Sequence, residues 1–436
     1  MRTRSLFGFD LILFFSTMAL LIIGILFIYS SSVSSTGIVF SREYIRQIIW
    51  AGTGFILVFT VIFIGYDRFQ PWSPYIYASS VLLLIITLLF GQPINGAKSW
   101  LGILDFGIQP SEFTKIAVIL FLAGYYTRSR NRMQYPSHFL IGFFIILIPV
   151  FLVLLQPDMG TAIVYIPIFL IMSFVGGVPV RYVIFVFITG LLLIILSLLP
   201  AWQDHIVERD IPFLTIVDNP TFIQYSLLSL GVITLTALAG YFLMKKKYFY
   251  WIIYVFLIVF LSLAGSSIAR MVLKEYQIMR LIVFLNPGVD PKGAGWNIIQ
   301  SITAVGSGGF FGKGFLKGTQ SHYRYLPQQS TDFIFSIISE EWGFLGGFLV
   351  FSLFVTIMIR GLLIIQTIKD SYAVLVGSGV VAMLLFHFVV NIGMAMGIMP
   401  ITGIPLFFLS YGGSSLWTAM LGIGLLLSIH LKRYSY

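Results

Sequence analysis

Long apolar runs recur along the whole chain, and the charged residues, glycines and prolines gather in the stretches between them. An α-helix needs about 20 mostly apolar residues to cross the hydrocarbon core of a bilayer. The runs therefore predict twelve spanning helices. They lie at 10–30, 46–65, 75–91, 112–127, 138–155, 160–177, 182–199, 222–243, 248–268, 332–359, 372–397 and 414–430. The first run lacks a small-residue cleavage site, which favours a retained helix over a signal peptide.

The composition agrees with this pattern. Of the 436 residues, 58% are hydrophobic and only 10% are charged, and one soluble core could not bury so much apolar surface. We therefore expect an all-α, polytopic transmembrane bundle that forms a single domain over residues 1–436. The chain has no Cys, which excludes disulfides, thiolate catalysis and Cys-ligated metals.

The distribution of basic residues predicts the orientation, because short cytoplasmic loops of membrane proteins collect Lys and Arg. With the N-terminus inside, 14 of the 26 Lys and Arg residues fall on the inner side, including those at 128–132 and 245–247. Seven of the other 12 lie in one long segment, so the short outer loops hold few cations. We expect both termini in the cytoplasm.

That long segment, 269–331, joins the ninth and tenth predicted helices and is the least apolar part of the chain. Its aliphatic and aromatic residues predict short helices and turns on the outer side. An excess of cations would suit an anionic ligand such as a phosphate-bearing head group, although any single Lys is better explained by nonspecific contact with lipid phosphates. The seven cations are Arg270, Lys274, Arg280, Lys292, Lys313, Lys317 and Arg324.

A glycine-rich run within this segment, GSGGFFGKGFLKG, is not a P-loop. That motif needs Gly at 307 and Ser or Thr at 314, where the chain has Ser307 and Gly314. Tight turns and close packing explain most of these glycines better.

A second outer loop, at 94–115, ends in a signal for the start of a helix. Pro110 is followed by Ser111, the predicted N-cap, and by Glu112 in the first turn. Glu112 and Lys115 are three residues apart on one helical face and can form an ion pair. The pair either complements the helix end or belongs to a functional site, and the sequence favours neither.

Polar residues also occur inside predicted spans. Glu340 and Glu341 follow STDFIFSIIS, and a structural ion pair is the favoured interpretation for each. His387 and Asn391 are four residues apart on another helix, where hydrogen bonds between helices are more common than a metal site.

Two further turns contain polar candidates. Asp158, in LLQPDMGTA, is placed to cap a helix. The stretch SYGGS begins at Ser410 and contains two glycines, which either present backbone N–H groups to an anion or turn the chain before the last helix.

Eight stretches, in this order, carry a resemblance to a known family: GAKSW, IQPSEFTK, LQPDMGTA, NPGVDPKGAGW, GKGFLKGTQS, STDFIFSIISEE, VNIGMAMGIMPITGIPL and SYGGS. Together they resemble the SEDS family (shape, elongation, division and sporulation), to which RodA, FtsW and SpoVE belong. The resemblance implies a lipid II polymerase that makes peptidoglycan glycan strands on the outer face of the bacterial cytoplasmic membrane. GTQS and LPQQSTDFIF are closer to the RodA branch, which acts in cell elongation, than to the FtsW branch, which acts in division.

By this resemblance Asp290, in NPGVDP, is the residue essential for polymerisation. The acceptor sugar hydroxyl must lose a proton as it attacks, and an ionised carboxylate can take that proton. A pyrophosphate leaving group needs positive charge nearby and no acid, which agrees with one carboxylate among many cations. Pro287 and Pro291 would hold the base in place, and Gly293 and Gly295 would let the acceptor approach. The alternative is an ordinary turn residue, since Asp is common before Pro.

The resemblance assigns substrate binding to further residues by their motifs. Donor pyrophosphate contact, sugar stacking and pocket shape are expected from Lys98, Trp100, Glu112 and Lys115. Weaker candidates are Gln109, Asp158, Arg280, Lys313, Gln320 and Ser410. Some relatives carry a cation where this chain has Gly107, so other residues would neutralise phosphate here. No cofactor is certain; a divalent cation is an open alternative source of charge.

Most family members have ten helices, so segment 200–247 is predicted to insert an additional pair. An even number of crossings keeps Asp290 outside. The expected partners are lipid II, a class B penicillin-binding protein and other membrane proteins of the elongation complex, with no nucleic acid. A lipid II flippase and a non-catalytic scaffold are the alternatives; a flippase would place charged residues near the bilayer midplane.

Overall fold

The computed structural model describes residues 8–94, 97–103, 106–207, 211, 219–272, 275–293 and 295–432. These residues contain fifteen α-helices. They are α1 (Leu11–Ser32), α2 (Glu43–Ile64), α3 (Phe69–Phe90), α4 (Pro110–Ser129), α5 (Pro136–Leu155), α6 (Met159–Val175), α7 (Val180–Trp202), α8 (Pro220–Met244), α9 (Lys247–Val272), α10 (Glu275–Leu285), α11 (Trp296–Ser307), α12 (Thr319–His322), α13 (Ile334–Gln366), α14 (Ser371–Ala395) and α15 (Gly413–Lys432).

The all-α transmembrane prediction is confirmed. Ten helices in the described residues are long and apolar enough to cross a bilayer, and α4 and the 17-residue α6 occupy the other two predicted positions. The segment at 269–331 contains α10, α11, α12 and a 3-10 turn at Pro287–Val289, as predicted. Four of the Lys and Arg residues that were counted for the orientation lie outside the described residues: Arg2, Arg4, Lys274 and Arg433.

Contacts divide the chain into two compact units. Unit 1 comprises Met1–Val178 and Gln300–Tyr436, and α14 and α15 are its most buried helices. Around them pack α2, α4, α6 and α13. Small residues allow two helices to approach each other closely. The Gly54 Cα faces the Met420 side chain, and Gly424 lies against the Val58 backbone. As a result, α2 and α15 pack tightly.

Unit 2 comprises Pro179–Ile299. In it α9 contacts both α7 and α8. The Ser262 hydroxyl donates to the Thr189 carbonyl at 3.1 Å, and the Tyr254 hydroxyl donates to the Arg181 carbonyl at 2.8 Å, which ties α9 to α7. The predicted inserted segment, 200–247, contains α8; that this segment is an insertion stays a prediction.

A small antiparallel sheet precedes α4, in a stretch that the sequence predicted only as a loop. Its strands are β1 (Gln92–Ile94), β2 (Ala97–Ile103) and β3 (Phe106–Ile108), in the order β1-β2-β3. Gln92 pairs with Trp100, and Gly102 pairs with Gly107. The sheet thus holds Lys98 and Trp100 on its central strand.

Candidate functional site

The ion pair predicted at the start of α4 is confirmed and has a third member. The Lys115 Nζ lies 2.7 Å from the Glu112 Oε1, and both side chains are buried. The same ammonium lies 3.1 Å from the His387 Nε2 on α14, while the His387 Nδ1 contacts the Pro405 carbonyl at 2.9 Å. Since Lys115 has no acceptor atom, it donates to a neutral His387, whose Nδ1–H donates to Pro405.

Next to this pair, a second polar group joins α4 to α6. The Gln109 Nε2 donates to the Asp158 Oδ2 at 2.7 Å. Asp158 caps α6, because its Oδ1 accepts from the Thr161 N–H at 3.1 Å and its Oδ2 from the Thr161 hydroxyl at 2.9 Å. The Gln109 N–H donates to the Ser414 Oγ at 2.9 Å. The predicted capping role of Asp158 is confirmed.

The predicted N-cap of α4 is wrong. Pro110 is the first residue of the helix and Gln109 is its N-cap, without a side-chain capping bond. A proline is well suited to the first helical position because it lacks the N–H that would otherwise remain unpaired there. Ser111 is therefore already inside the helix, with a buried hydroxyl that has no hydrogen-bond partner among the described residues.

The sheet presents Lys98 and Trp100 differently. Lys98 is exposed, whereas Trp100 is half-buried. A Cβ at Gly107 would lie 2.9 Å from the Trp100 ring. A larger residue at 107 would therefore displace the indole, which gives a physical reason for the glycine at this position.

Glu340, on α13, holds Lys313 and the first residues of α12 in place. Its Oε1 accepts from the Lys313 ammonium at 2.7 Å and from the N–H groups of Thr319 and Gln320 at 2.8 and 2.9 Å. The Oε2 accepts from the Ser321 N–H at 3.3 Å. The predicted structural ion pair is present for Glu340, and the Lys313 ammonium is engaged in it.

Glu341 faces other partners. It accepts from the Ser30 hydroxyl at 2.5 Å and from the Leu316 N–H at 3.0 Å, and its Oε1 lies 3.4 Å from the His322 Nε2. The adjacent Glu341 carboxylate raises the pKa of His322, while burial opposes that rise. When protonated, the imidazole forms the structural ion pair predicted for Glu341; that His322 is the partner was not predicted.

Ser410 lies in a buried turn before α15. Its Oγ accepts from the Leu406 N–H at 2.9 Å, and its carbonyl accepts from the Gln47 Nε2 at 3.1 Å. The Gln47 Oε1 accepts from the Gly412 N–H at 3.3 Å. The first glycine of SYGGS therefore uses its N–H within the protein, which favours the turn interpretation for that residue.

Asp290 belongs to unit 2 and follows the 3-10 turn Pro287–Val289. Its Oδ1 accepts from the Gly293 N–H at 2.9 Å, and its carbonyl accepts from the Gly295 N–H at 2.9 Å. The side chain is half-buried. The carboxylate is thus held by the turn that follows it, in addition to the restriction that Pro287 and Pro291 impose.

The two glycines after Asp290 are required by this turn. A Cβ at Gly293 would collide with the Asp290 carboxylate, and a Cβ at Gly295 would lie 2.6 Å from the Asp290 carbonyl oxygen. The turn alone explains both residues; that they admit the acceptor stays a prediction. Arg280, another candidate of unit 2, is exposed on α10.

Comparison with known proteins gives the family. The model described as cell cycle protein, FTSW_RODA_SPOVE, matches residues 11–229 and 210–435. The chain belongs to the FtsW/RodA/SpoVE family.

Relatives of this family member resemble it over nearly their whole length. It is 51% identical to a peptidoglycan glycosyltransferase RodA of Treponema pallidum, over 99% of this chain and 100% of the relative. It is 32% identical to the peptidoglycan glycosyltransferase MrdB of Escherichia coli K12, over 95% and 92%. A chain of a solved peptidoglycan synthase complex, described as coordinating polymerization and crosslinking, has a TM-score of 0.67 at 26% identity over 98% of this chain and 99% of its own.

For this member of the FtsW/RodA/SpoVE family, the structure also identifies residues that the sequence analysis missed. Gln47 was overlooked, although a Gln inside the apolar run of α2 was a visible signal. His387 was expected to tie helices together, as Asn391 does through the Asp332 and Ile404 carbonyls, but its contact with Lys115 was not predicted. Among the described residues, no cluster of three or more His, Asp or Glu side chains could hold a metal ion.

Proposed function

We propose that this member of the FtsW/RodA/SpoVE family is a peptidoglycan glycosyltransferase that polymerises lipid II into glycan strands on the outer face of the cytoplasmic membrane during cell elongation. The observation that carries the proposal is the similarity, along the whole chain, to a protein named peptidoglycan glycosyltransferase RodA. An FtsW-type role in division remains the alternative within the family.

Asp290 acts as the general base in this proposal. The acceptor sugar hydroxyl attacks the anomeric carbon of the donor, a new C–O bond forms, and the bond from that carbon to the pyrophosphate oxygen breaks. The proton of the hydroxyl passes to the Asp290 carboxylate, and undecaprenyl pyrophosphate leaves with the electron pair. The hydrogen bond from the Gly293 N–H orients the carboxylate before substrate arrives, which supports the role because a fixed base lowers the entropic cost of reaction.

We assign two roles to the candidate residues of unit 1, according to how exposed each side chain is. Lys98 is exposed and free to contact the donor pyrophosphate, and Trp100 offers a half-buried ring face for stacking on a sugar. Lys115 is fully buried and already donates to Glu112 and His387. We therefore propose that Glu112 and Lys115 determine the shape of the pocket. Gln109 and Asp158, which bind each other at the start of α4 and α6, set its edge.

Glu340 supports substrate binding indirectly, because it fixes Lys313, in the stretch before α12, and Gln320, within α12. We propose that these two residues, Arg280 and the turn at Ser410 contribute to substrate binding. A divalent cation remains an additional way to neutralise the pyrophosphate.

The proposed partner is a class B penicillin-binding protein, whose transpeptidase would crosslink the strands. A similar chain belongs to a peptidoglycan synthase complex described by polymerization and crosslinking, which supports this partner. Other membrane proteins of the elongation complex are also expected. We propose that both termini lie in the cytoplasm, which places Lys98, Trp100 and Asp290 on the outer side, where lipid II is polymerised.

The test is polymer formation from lipid II by the purified chain together with its penicillin-binding partner. Asp290→Asn keeps the shape of the side chain and removes the base, so glycan polymer should fall by about 10²-fold or more. Asp204→Asn, at an exposed position of unit 2, is the matched control and should polymerise like wild type. Full activity of Asp290→Asn, with the complex intact, would remove Asp290 from the mechanism.

A further inference from the structure

A cavity of about 190 Å³ lies in unit 1, at the end of α4 remote from Glu112. The ends of α4 and α6 and the start of α14 enclose it, and Tyr126 lines it. Tyr126 follows Glu112 by 14 residues, which is roughly 21 Å along the helix at about 1.5 Å per residue. The cavity volume is at least ten times the roughly 10–15 Å³ that one water requires, so a phosphate-sized group can enter.

Two cations line the cavity. Arg130 and Lys369 are both exposed, and the Arg130 Nη1 donates to the Ser371 Oγ at 2.5 Å. Among the described residues neither cation forms an ion pair with a carboxylate. Asp370, beside Lys369, accepts from the Tyr372 N–H and the Tyr66 hydroxyl instead. The cavity therefore has two positive charges that no carboxylate of the described residues balances in an ion pair.

The remaining lining defines the ligand further. Ser371 and Thr127 add hydroxyl groups. Val175 and Val374 give one wall an apolar surface. Basic pockets between transmembrane helices near the membrane surface are suited to anionic lipid head groups, and an apolar wall beside the cations suits the glycerol of such a lipid.

We propose that this cavity binds the phosphate of an anionic glycerophospholipid from the adjacent leaflet. The Arg130 guanidinium donates to two phosphate oxygens, for which its planar geometry is suited, and Lys369 adds a second positive charge. No residue that lines this cavity belongs to the proposed polymerisation site, and occupancy of the cavity can be measured without glycan synthesis.

The test measures lipid binding to the purified full chain by native mass spectrometry, with phosphatidylglycerol and with zwitterionic phosphatidylcholine. The Arg130→Gln/Lys369→Gln double variant should bind phosphatidylglycerol about 30-fold more weakly, the loss expected for two surface cations. The control is Lys246→Gln/Lys247→Gln, which removes the same charge from exposed positions of unit 2 and should bind like wild type. Equal thermal stability of the three proteins establishes that folding is intact.

Each other outcome overturns the proposal. If the double variant binds phosphatidylglycerol like wild type, the cavity is not the site. If the control loses as much affinity, or phosphatidylcholine binds equally well, the attraction is not specific to this cavity. If excess inorganic phosphate displaces phosphatidylglycerol and is itself retained, the occupant is free phosphate and not a lipid.

Discussion

Lys115 shows how far one residue can be understood from sequence. Its pairing with Glu112 follows from a spacing of three on one helix, and the 2.7 Å contact confirms it. The third partner, His387, is 272 residues away along the chain, so no local pattern could indicate it. Because Lys115, Glu112 and His387 are buried together, loss of a partner of the Lys115 ammonium would strongly destabilise the folded protein.

Gly295 tests whether the conformation around Asp290 matters as well as its carboxylate. Gly295→Ala would put a Cβ 2.6 Å from the Asp290 carbonyl oxygen, so the turn must open and the base must move. A displacement near 1 Å can lower the rate by about 100-fold, and we expect a loss of that order in glycan polymerisation by the purified complex.

Gly306→Ala is the control for this change. A Cβ at Gly306 meets nothing within 4 Å, and Ala is favoured over Gly inside a helix such as α11. This variant should polymerise like wild type. Undiminished activity of Gly295→Ala would show that the turn tolerates a side chain and that the position of Asp290 does not depend on it.

At the scale of elements, α13 and the glycine-rich loop before α12 exchange hydrogen bonds. Gly343 has φ +64° and interrupts the helix. The Glu340 and Glu341 carbonyls accept from the N–H groups of Lys313 and Gly314 at 3.0 and 2.9 Å, while the Phe344 N–H donates to the Gly309 carbonyl at 2.9 Å. The break in the helix thus leaves its backbone groups paired, because the glycine-rich loop supplies the missing partners.

The Glu340 carboxylate should determine how rigid the end of that loop and the start of α12 are. Glu340→Gln removes the charge that Lys313 and the Thr319 and Gln320 N–H groups share. Hydrogen bonds to a charged group contribute about 1.5–3 kcal/mol, so the two amides should exchange hydrogen roughly 10- to 100-fold faster. Hydrogen–deuterium exchange measures this, with the amides of α15 as the internal control. Unchanged exchange at 319 and 320 would contradict the anchoring role.

His322 should make the same region sensitive to pH. Because the pKa of His322 is raised in the folded protein by Glu341, the ion pair stabilises fully below the unfolded pKa, about 6.5. That contribution is lost as pH rises through the higher folded pKa. The melting temperature of wild type should therefore exceed that of His322→Gln most in mildly acidic solution, and the difference should shrink above neutrality. A difference that is constant with pH would show that the imidazole stabilises only through packing.

At the scale of the whole molecule, the need to span a bilayer explains which elements could be predicted from the sequence. All twelve helices were found because each needs a long apolar run, and each end lies within seven residues of the predicted one. The sheet was missed, since strands of three and seven residues give too little alternation. The N-cap at Ser111 was wrong because Pro110 took the first helical position. The hydrogen-bond partners of Glu340 could not be predicted, because tertiary contacts bring them together and no regular sequence spacing indicates them.

The orientation of the whole chain can be measured directly because the sequence contains no Cys. Each single Cys variant then carries one thiol, and a membrane-impermeant maleimide added to intact cells reacts only with thiols outside. Lys98→Cys and Lys317→Cys, both at exposed positions, should be labelled. Arg132→Cys and Lys246→Cys, also exposed, should be labelled only after the membrane is permeabilised.

The two inner positions test the inserted pair as well. Arg132 precedes segment 200–247 and Lys246 lies at its end, so both can be inside only if an even number of crossings separates them. Labelling of Lys246→Cys in intact cells, with Arg132→Cys protected, would mean an odd number, and every later element would then face the opposite side. Asp290 would lie in the cytoplasm in that case, and an outer polymerisation site built on it could not be correct.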